Sequence, residues 1–198
     1  MKYTIAAFDF DGTIINRDSM WGFMKKTHHP FSIIINLILA FPFLLLYKLK
    51  LLSNGKAKQL LFSRFYRNWP VDKFNTICMS FQSFVRKSIR PEVYQYLRDH
   101  LNAGHKVIIV SASAENWIIP WAKEEGVDAV LATQLEVNTE GKLTGQFSSP
   151  NCYGKEKVKR ILERYPERDC YKLIAYGDSK GDFEMLQMAD ESHYLNRK

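Results

Sequence analysis

Hydrophobic positions change period along this chain. Short apolar runs alternate with helical patterns near the start and in the second half, whereas residues from about 17 to 103 keep helical spacing. We predict strands over 3–10, 106–110, 128–135, 171–176 and 192–195, helices over 91–103, 114–125, 155–165 and 182–188, and a hairpin joining 135–137 to 143–146. Strands that alternate with helices are typical of a parallel sheet. The pattern therefore predicts an α/β fold.

The helical block at 17–88 interrupts this pattern, so we predict a core domain of 1–16 and 89–198 with a helical cap domain inserted between. Further helices are expected over 19–27, 56–67 and 71–87. Residues 31–47 contain no charge, but this run is short of the ~20 residues that cross a bilayer. We expect two helices kinked at Pro42 that pack in the cap or dip into a membrane interface. A buried cap core is the alternative.

Charge is distributed unevenly. The chain has net charge +7, yet Trp21 to Arg90 holds twelve Lys or Arg residues and a single acid, Asp72. Several lysines follow the apolar run directly. Apolar residues beside a basic cluster are attracted to an anionic membrane surface. Peripheral membrane contact through the cap is therefore one prediction, and nothing in the pattern suggests a nucleic-acid partner.

The three cysteines lie far apart and lack metal-ligand spacing, which is typical of reduced thiols. The chain enters a predicted strand within a few residues, so we expect no signal peptide. We predict a cytoplasmic protein, with a peripheral position on the inner face of the membrane as the alternative.

Two carboxylates, Asp9 and Asp11, follow the first predicted strand, and Gly12 lets the chain turn there. Ligands of open α/β sheets bind at the carboxyl ends of strands. Carboxylates this close repel each other unless a cation or a shared proton relieves them. The pair therefore indicates magnesium binding and phosphate chemistry. A calcium loop and a plain turn are the other readings of such spacing, and the apolar residues that follow do not fit a calcium loop.

Ser111 and Ala112 follow the next strand of the core and are candidates for binding phosphate. A hydroxyl and the backbone N–H groups at a helix start can both donate to an oxyanion. For Ser113, a role in capping the next helix is at least as well supported as phosphate binding.

Lys155 follows Gly154 at a predicted helix start, from where it could neutralise a carboxylate and a phosphate. We expect Lys157 and Lys159 to be solvated surface charges. Asp178 ends another strand and could supply a carboxylate to a metal that faces Asp9. Asp182 could hold those ligands in place or simply cap the next helix.

Together these residues resemble the four motifs of the haloacid dehalogenase (HAD) superfamily of phosphotransferases. The motifs are Asp9-Phe10-Asp11-Gly12-Thr13, Ser111, Lys155 and Gly177-Asp178-Ser179-Lys180-Gly181-Asp182. The helical insertion between the first two resembles the C1 cap of the phosphoserine phosphatase-like subfamily IB. The resemblance covers essentially the whole chain and implies a Rossmann-like parallel sheet, the HAD fold, with an inserted all-helical C1 cap.

The resemblance also implies roles. Asp9 would be the nucleophile that forms an aspartyl-phosphate, and Asp11 the general acid and base. Mg²⁺ would bind Asp9, the backbone carbonyl of Asp11, and Asp178, while Asp182 and Thr13 would support these ligands from behind. Ser111, Ala112 and Lys155 would bind the transferred phosphoryl group.

The substrate is less well defined. The apolar cap resembles that of phosphatidylglycerophosphatase C, which implies a phosphomonoester on a lipid such as phosphatidylglycerophosphate. A soluble phosphatase for a small metabolite like phosphoserine is the main alternative. A non-catalytic protein that binds membrane surfaces is a third. Arg17 and Tyr153 are candidates for the substrate pocket by position only.

Overall fold

A parallel five-stranded sheet forms the centre of the molecule. The computed structural model describes residues 3–195, without the side chain of residue 44. Its strands are β1 (Tyr3–Phe8), β2 (Lys106–Ala114), β3 (Ala129–Thr133), β4 (Leu135–Val137), β5 (Leu143–Phe147), β6 (Tyr171–Gly177) and β7 (Glu191–Tyr194). The sheet has the order β3-β2-β1-β6-β7, and all its pairs are parallel. A separate antiparallel hairpin joins β4 and β5.

Helices cover both faces of the sheet. They are α1 (Ser19–Thr27), α2 (Pro30–Lys48), α3 (Asn54–Tyr66), α4 (Val71–Ser80), α5 (Gln82–Ser88), α6 (Pro91–Asn102), α7 (Glu115–Glu125), α8 (Lys155–Arg164) and α9 (Phe183–Met188). Short 3₁₀ turns occupy Arg168–Cys170 and Lys180–Asp182. The predicted α/β architecture is confirmed. The single helix expected over 71–87 is two helices, because the chain turns at Phe81.

The sheet is buried on both sides because the strands alternate between two apolar clusters. Ile5 and Ala7 of β1 pack with Ile161 of α8 on one side. Phe8 lies in the larger cluster on the other side, together with residues of the helical insertion. Strands buried on both faces are expected for parallel sheets. The central strand is thereby fixed in position, and its carboxyl end is the part that remains accessible.

Aromatic side chains hold α1 and α4 together and join them to α7. Phe23 of α1 lies against Phe74 and Phe81 with ring centroids 5.1 and 5.2 Å apart, and stacks on Trp117 of α7 at 5.1 Å. Ring pairs at such distances stabilise beyond their burial alone. This cluster positions the inserted helices above the sheet edge. The boundaries of the cap domain at 17 and 88 stay a prediction.

The apolar run at 31–47 forms one helix, so the predicted pair of helices kinked at Pro42 is wrong. Pro30 opens α2 where its missing N–H costs little, and Pro42 lies inside the helix. Most of the large apolar side chains of α2 are exposed, which also contradicts the alternative of a buried cap core. Within residues 3–195, no helix is both long and apolar enough to cross a membrane.

Candidate active site

Asp9 lies at the carboxyl end of the central strand. Its backbone N–H donates to the carbonyl of Tyr176 in β6 at 2.9 Å, which continues the sheet one residue beyond β1. β2 ends beside it on one flank and carries Ser111, while β6 ends on the other flank and leads to Asp178. The structure thus brings residues that are far apart in sequence to one edge of the sheet, as the parallel arrangement predicts.

Lys157 is the cation at the centre of this edge. Its Nζ donates to Asp9 Oδ1 at 2.6 Å, Asp182 Oδ1 at 2.5 Å and the Val110 carbonyl at 2.7 Å. The residue is only 1% exposed. Burial alone would lower the pKa of Lys157, but the charges of Asp9 and Asp182 hold it above its usual range. Lys157 is therefore a fixed positive charge against the predicted nucleophile.

This geometry corrects the predictions for both lysines. Lys155 is exposed at the first position of α8, and Lys157 is not a solvated surface charge. Helical spacing explains the difference, because Lys157 precedes the buried Ile161 by four residues and shares its face. Lys155 shares the exposed face with Lys159 and Glu163 instead. The apolar face of α8 is a sequence signal that could have identified Lys157.

Three buried carboxylates face one another beside Lys157. Asp9, Asp178 and Asp182 each offer an oxygen, and these atoms lie within 4.8 Å of one another. Thr13 Oγ1 donates to Asp178 Oδ1 at 3.4 Å. A cluster of carboxylate oxygens is the ligand type that hard divalent cations prefer, and one lysine cannot balance three buried acids. The cluster suits a divalent cation such as Mg²⁺.

Asp182 is held firmly within this cluster. Its Oδ2 accepts from the Ser179 N–H at 3.0 Å, the Ser179 hydroxyl at 2.8 Å and the Asp178 N–H at 3.2 Å. Its other oxygen binds Lys157. Asp182 therefore orders the turn that carries Asp178, and its role in supporting metal ligands stays a prediction.

Burial makes Asp9 hard to ionise without a further cation. Loss of solvent raises the pKa of Asp9 to about 7, with Lys157 opposing this and the charge of Asp182 adding to it. A bound divalent cation would favour the charged form. The reactivity of Asp9 is therefore coupled to whatever occupies the acidic cluster.

Asp11 is in different surroundings from Asp9. The Ser19 N–H and hydroxyl donate to its two carboxylate oxygens at 2.8 and 3.0 Å, and the Ser113 hydroxyl also donates to it. Burial, followed by the charge of Asp18, raises the pKa of Asp11, while Lys58 and the two hydroxyls oppose the rise. A carboxyl group whose pKa is raised by burial keeps its proton more readily and can therefore act as a general acid.

Ser19 was not predicted to lie in the site, and for Ser113 helix capping was expected at least as much as a role in the site. The side chain of Asp18 caps α1. Ser113 does not cap α7, which begins after Ala114. Trp117 Nε1 donates to Ser19 Oγ at 2.9 Å and keeps that hydroxyl in place. No local pattern marks these serines, because their partners come from distant parts of the chain.

Ser111 and Ala112 line the same cavity as Asp9 and Asp11, and their binding of phosphate stays a prediction. Ser111 is buried, and its Oγ accepts from the Ser113 N–H at 3.1 Å. Lys58 of α3 donates to the Ala112 carbonyl at 2.9 Å. Burial lowers the pKa of Lys58, although Asp11 and Asp18 oppose this. Lys58 is one of the lysines that follow the apolar run in the sequence, and the fold brings it over the site.

A cavity of about 550 Å³ opens above these residues. Its floor comes from the sheet edge, and its opposite wall comes from the inserted helices and the loop before α8. The wall residues are Asp18, Met20, Tyr47, Asn54, Ala57, Lys58, Leu61 and Tyr153. Tyr153 therefore lies where it was predicted, in the wall of the catalytic cavity.

Arg17 does not line this cavity, which corrects its predicted place. It is exposed in the loop before α1 and lines a neighbouring cavity of about 360 Å³ with Arg90 and Glu92. Asp11 and Asp18 line both cavities and separate them.

Comparison with known proteins identifies the family. Residues 6–187 match the haloacid dehalogenase-like hydrolases. The chain belongs to this family. Protein CicA of Caulobacter vibrioides is 32% identical over 191 residues, which cover 96% of this chain and 85% of that protein. A probable phosphatase of Mycobacterium tuberculosis is 29% identical over 204 residues, covering 98% of this chain and 69% of that protein.

A solved phosphoserine phosphatase, a phospho-aspartyl intermediate analogue, has the same fold. Its TM-score is 0.68 at 19% identity, and the match covers 97% of this chain and 86% of that one. The family match confirms the haloacid dehalogenase superfamily, the solved phosphatase shows a shared fold, and the phosphoserine phosphatase-like branch stays a prediction. The likeness to phosphatidylglycerophosphatase C stays a prediction.

Proposed function

We propose that this hydrolase is a Mg²⁺-dependent phosphomonoester phosphatase that works through an aspartyl-phosphate. One observation carries the proposal. A buried lysine lies between Asp9 and a second acid, and a differently held carboxyl, Asp11, lies beside them at the floor of one cavity. Nucleophile, acid and countercharge are thus all within reach of one phosphate.

In the first step, an Asp9 carboxylate oxygen attacks phosphorus and the bond from phosphorus to the leaving oxygen breaks. Asp11 gives its proton to that oxygen, so the product leaves as an alcohol. The raised pKa of Asp11 favours the protonated form that this step needs. The phosphoryl group is then covalently bound to Asp9.

In the second step, Asp11 takes a proton from a water molecule as that water attacks phosphorus. The bond to Asp9 breaks, inorganic phosphate leaves, and both carboxyl groups return to their starting forms. Ser19 and Ser113 keep the Asp11 carboxylate oriented through both steps. Their role is to position Asp11 without touching the substrate.

The acidic cluster fits Mg²⁺. Asp9 and Asp178 would hold the ion directly, the backbone carbonyl of Asp11 would contribute a further oxygen, and Asp182 would order the turn. When bound, the ion would offset the repulsion between an anionic nucleophile and an anionic phosphate. Lys157, Ser111 and the backbone at Ala112 would bind the phosphoryl oxygens.

Two substrate classes suit this site. A lipid phosphomonoester such as phosphatidylglycerophosphate is favoured by the exposed apolar helix α2 near the cavity. A small phosphomonoester resembling phosphoserine is favoured by the likeness to phosphoserine phosphatase. A non-catalytic role is disfavoured, because unused buried carboxylates would cost stability for no gain.

The proposal is tested by phosphate release from an aryl phosphate with and without Mg²⁺. We expect turnover only with the ion, and a covalent phosphate on Asp9 that mass spectrometry detects after acid quenching. Asp9→Asn should abolish both signals while keeping the circular dichroism spectrum. Turnover by folded Asp9→Asn would remove the nucleophile assignment. A panel of phospholipids and small phosphomonoesters then separates the substrate classes.

A further inference from the structure

Helix α2 exposes large apolar side chains to an unusual extent. Phe31, Ile34, Ile38 and Leu39 are 67%, 55%, 66% and 51% exposed. Single exposed apolar residues are ordinary on protein surfaces, but a contiguous apolar patch marks an interaction site. The exposure extends beyond the helix, because Leu49 and Leu51 are 59% and 73% exposed.

Among the described side chains of α2, a single stripe is buried against the rest of the molecule. Ile33 and Ala40 are buried and Leu37 is half-buried, which is the spacing of one helix face. Apart from the half-buried Ser32 and Asn36, the rest of the helix is largely apolar yet exposed. A helix that is apolar all round is normally buried. The outer face of α2 therefore lacks a partner among the described residues.

Exposed lysines flank this face at both ends. Lys25 and Lys26 lie in the last turn of α1, just before α2 begins, and Lys48 and Lys50 follow the apolar run. None of the four forms an ion pair within residues 3–195, and the sequence has no acid between Asp18 and Asp72. Apolar surface bordered by unpaired positive charge is complementary to an anionic lipid interface.

The same helix ends at the catalytic cavity. Tyr47, in the last turn of α2, lines that cavity, and the Asn54 side chain donates to its hydroxyl at 3.3 Å. Lys58, on the next helix, reaches Ala112 on the cavity floor. A surface that holds α2 would therefore also lie close to the cavity opening.

We propose that the outer face of α2 and its flanking lysines dock this protein on an anionic lipid membrane, with the cavity open toward the lipid headgroups. The substrate would then be an amphiphile whose phosphomonoester enters the cavity while its apolar part stays in the membrane. This inference rests on the proposed phosphatase function. A second copy of the chain is the weaker occupant, because pairing two such faces would bring like charges together.

Vesicle sedimentation tests the docking. We expect binding to phosphatidylcholine vesicles only when they contain phosphatidylglycerol. Binding should weaken as salt rises from about 0.1 to 1 M, where the screening length falls from ~10 to ~3 Å. Ile34→Gln combined with Ile38→Gln should weaken binding at least tenfold. Met79→Gln, on an exposed apolar residue of α4, is the matched control and should bind as the unchanged protein does.

The charge contribution is tested separately. Lys48→Gln with Lys50→Gln should reduce binding at low salt several-fold, whereas Lys87→Gln with Lys123→Gln removes two exposed lysines elsewhere and should have little effect. Equal loss in both pairs would show general charge attraction and overturn the assigned surface. Sedimentation equilibrium without vesicles provides a further check. If the unchanged protein forms a stable dimer and the α2 variants are monomers, the partner of this face is a second copy of the chain and not a membrane.

Activity separates this inference from the function on which it rests. The α2 variants should hydrolyse a water-soluble aryl phosphate at the unchanged rate but lose at least tenfold on phosphatidic acid in anionic vesicles. If no protein hydrolyses the aryl phosphate, the phosphatase proposal fails. If all hydrolyse it but none binds vesicles, only the docking surface is refuted.

Discussion

Asp9 and Asp11 lie two residues apart but contact different groups, and this difference divides their chemistry. Asp9 binds a buried lysine and faces two other carboxylates, whereas Asp11 accepts from hydroxyl and backbone donors. The first environment suits an anion that attacks, and the second suits a group that exchanges a proton. Each residue can therefore be tested by its own kinetic signature.

Asp11→Asn should slow the hydrolysis of the aspartyl-phosphate more than its formation. An aryl leaving group needs little help from an acid, so Asp9 can still be phosphorylated, but the attacking water loses its base. We expect turnover to fall by roughly 10²–10⁴-fold and covalent phosphate to accumulate. Rapid acid quenching, followed by quantification of free and protein-bound phosphate, measures the turnover rate and the covalent phosphate. If the covalent species stays as scarce as in the unchanged protein, Asp11 is not the base.

Lys157 and Lys155 provide a matched pair of substitutions. Lys157→Met leaves two buried carboxylates without their cation, which typically destabilises by about 3–5 kcal/mol. Lys155→Met removes an exposed charge two residues earlier and should change stability by at most about 0.5 kcal/mol. Urea unfolding without added metal measures both. Equal effects would contradict the assignment of Lys157.

At the scale of single elements, the sequence predicted what local patterns encode. The apolar run of β1, the helix start at Pro91 and the β4–β5 hairpin all follow from spacing and turn residues. Contacts between distant segments were missed. Ser19 and Ser113 meet at Asp11 only because α1 packs over the end of β2.

Helix α2 shows a different limit of sequence reasoning. Its pattern is apolar on every side, which cannot distinguish a buried helix from one that awaits a partner. The Lys157 error was avoidable, because the face it shares with Ile161 is visible in the spacing of α8. Helix periodicity indicates which residues share a face, whereas tertiary packing decides whether that face is covered.

The contact between the β4–β5 hairpin and α3 depends on the absence of a side chain at Gly145. It has a positive φ of 83°, and a Cβ there would lie 2.9 Å from the Ser63 Cα and 2.4 Å from its Oγ. Gly141 has a similar φ of 71° but open space around it. The two glycines therefore separate backbone strain from steric conflict.

Gly141→Ala should cost about 1–2 kcal/mol from its backbone conformation alone. Gly145→Ala should cost about 1–3 kcal/mol more, because the hairpin must also move away from α3. Thermal and urea unfolding measure both changes. If the two variants are equally destabilised, the hairpin does not depend on close packing against Ser63.

For the whole molecule, the two charge patterns oppose each other. The segment from Trp21 to Arg90 is strongly basic, whereas the catalytic edge gathers buried acids. A basic segment beside the cavity would attract phosphate esters, and a cation would offset the charge of the acids at the cavity floor. On the proposed function, the basic segment would therefore concentrate an anionic substrate over a site whose acids a cation neutralises.

Mg²⁺ should consequently stabilise the whole fold, and the effect should depend on pH. At an ion concentration of about 100 times its Kd, binding to the native state adds about 2.7 kcal/mol. For a chain of this size this corresponds to roughly 5–10 °C in Tm. Protons compete with Mg²⁺ at Asp9, whose pKa is raised to about 7 by burial, so the shift in Tm should be smaller at pH 6 than at pH 8.

The stability of the metal-free protein should decrease with rising pH, whereas the stabilisation by Mg²⁺ should increase. A folded-state pKa above the unfolded value favours the protonated form, so metal-free stability should fall as pH rises from about 4 through about 7. Scanning calorimetry with EDTA or Mg²⁺ across this range measures both slopes. Asp178→Asn should largely remove the Mg²⁺ shift, whereas Asp169→Asn, at an exposed site, should keep it. A Mg²⁺ shift that persists in Asp178→Asn would place the ion elsewhere than in the acidic cluster.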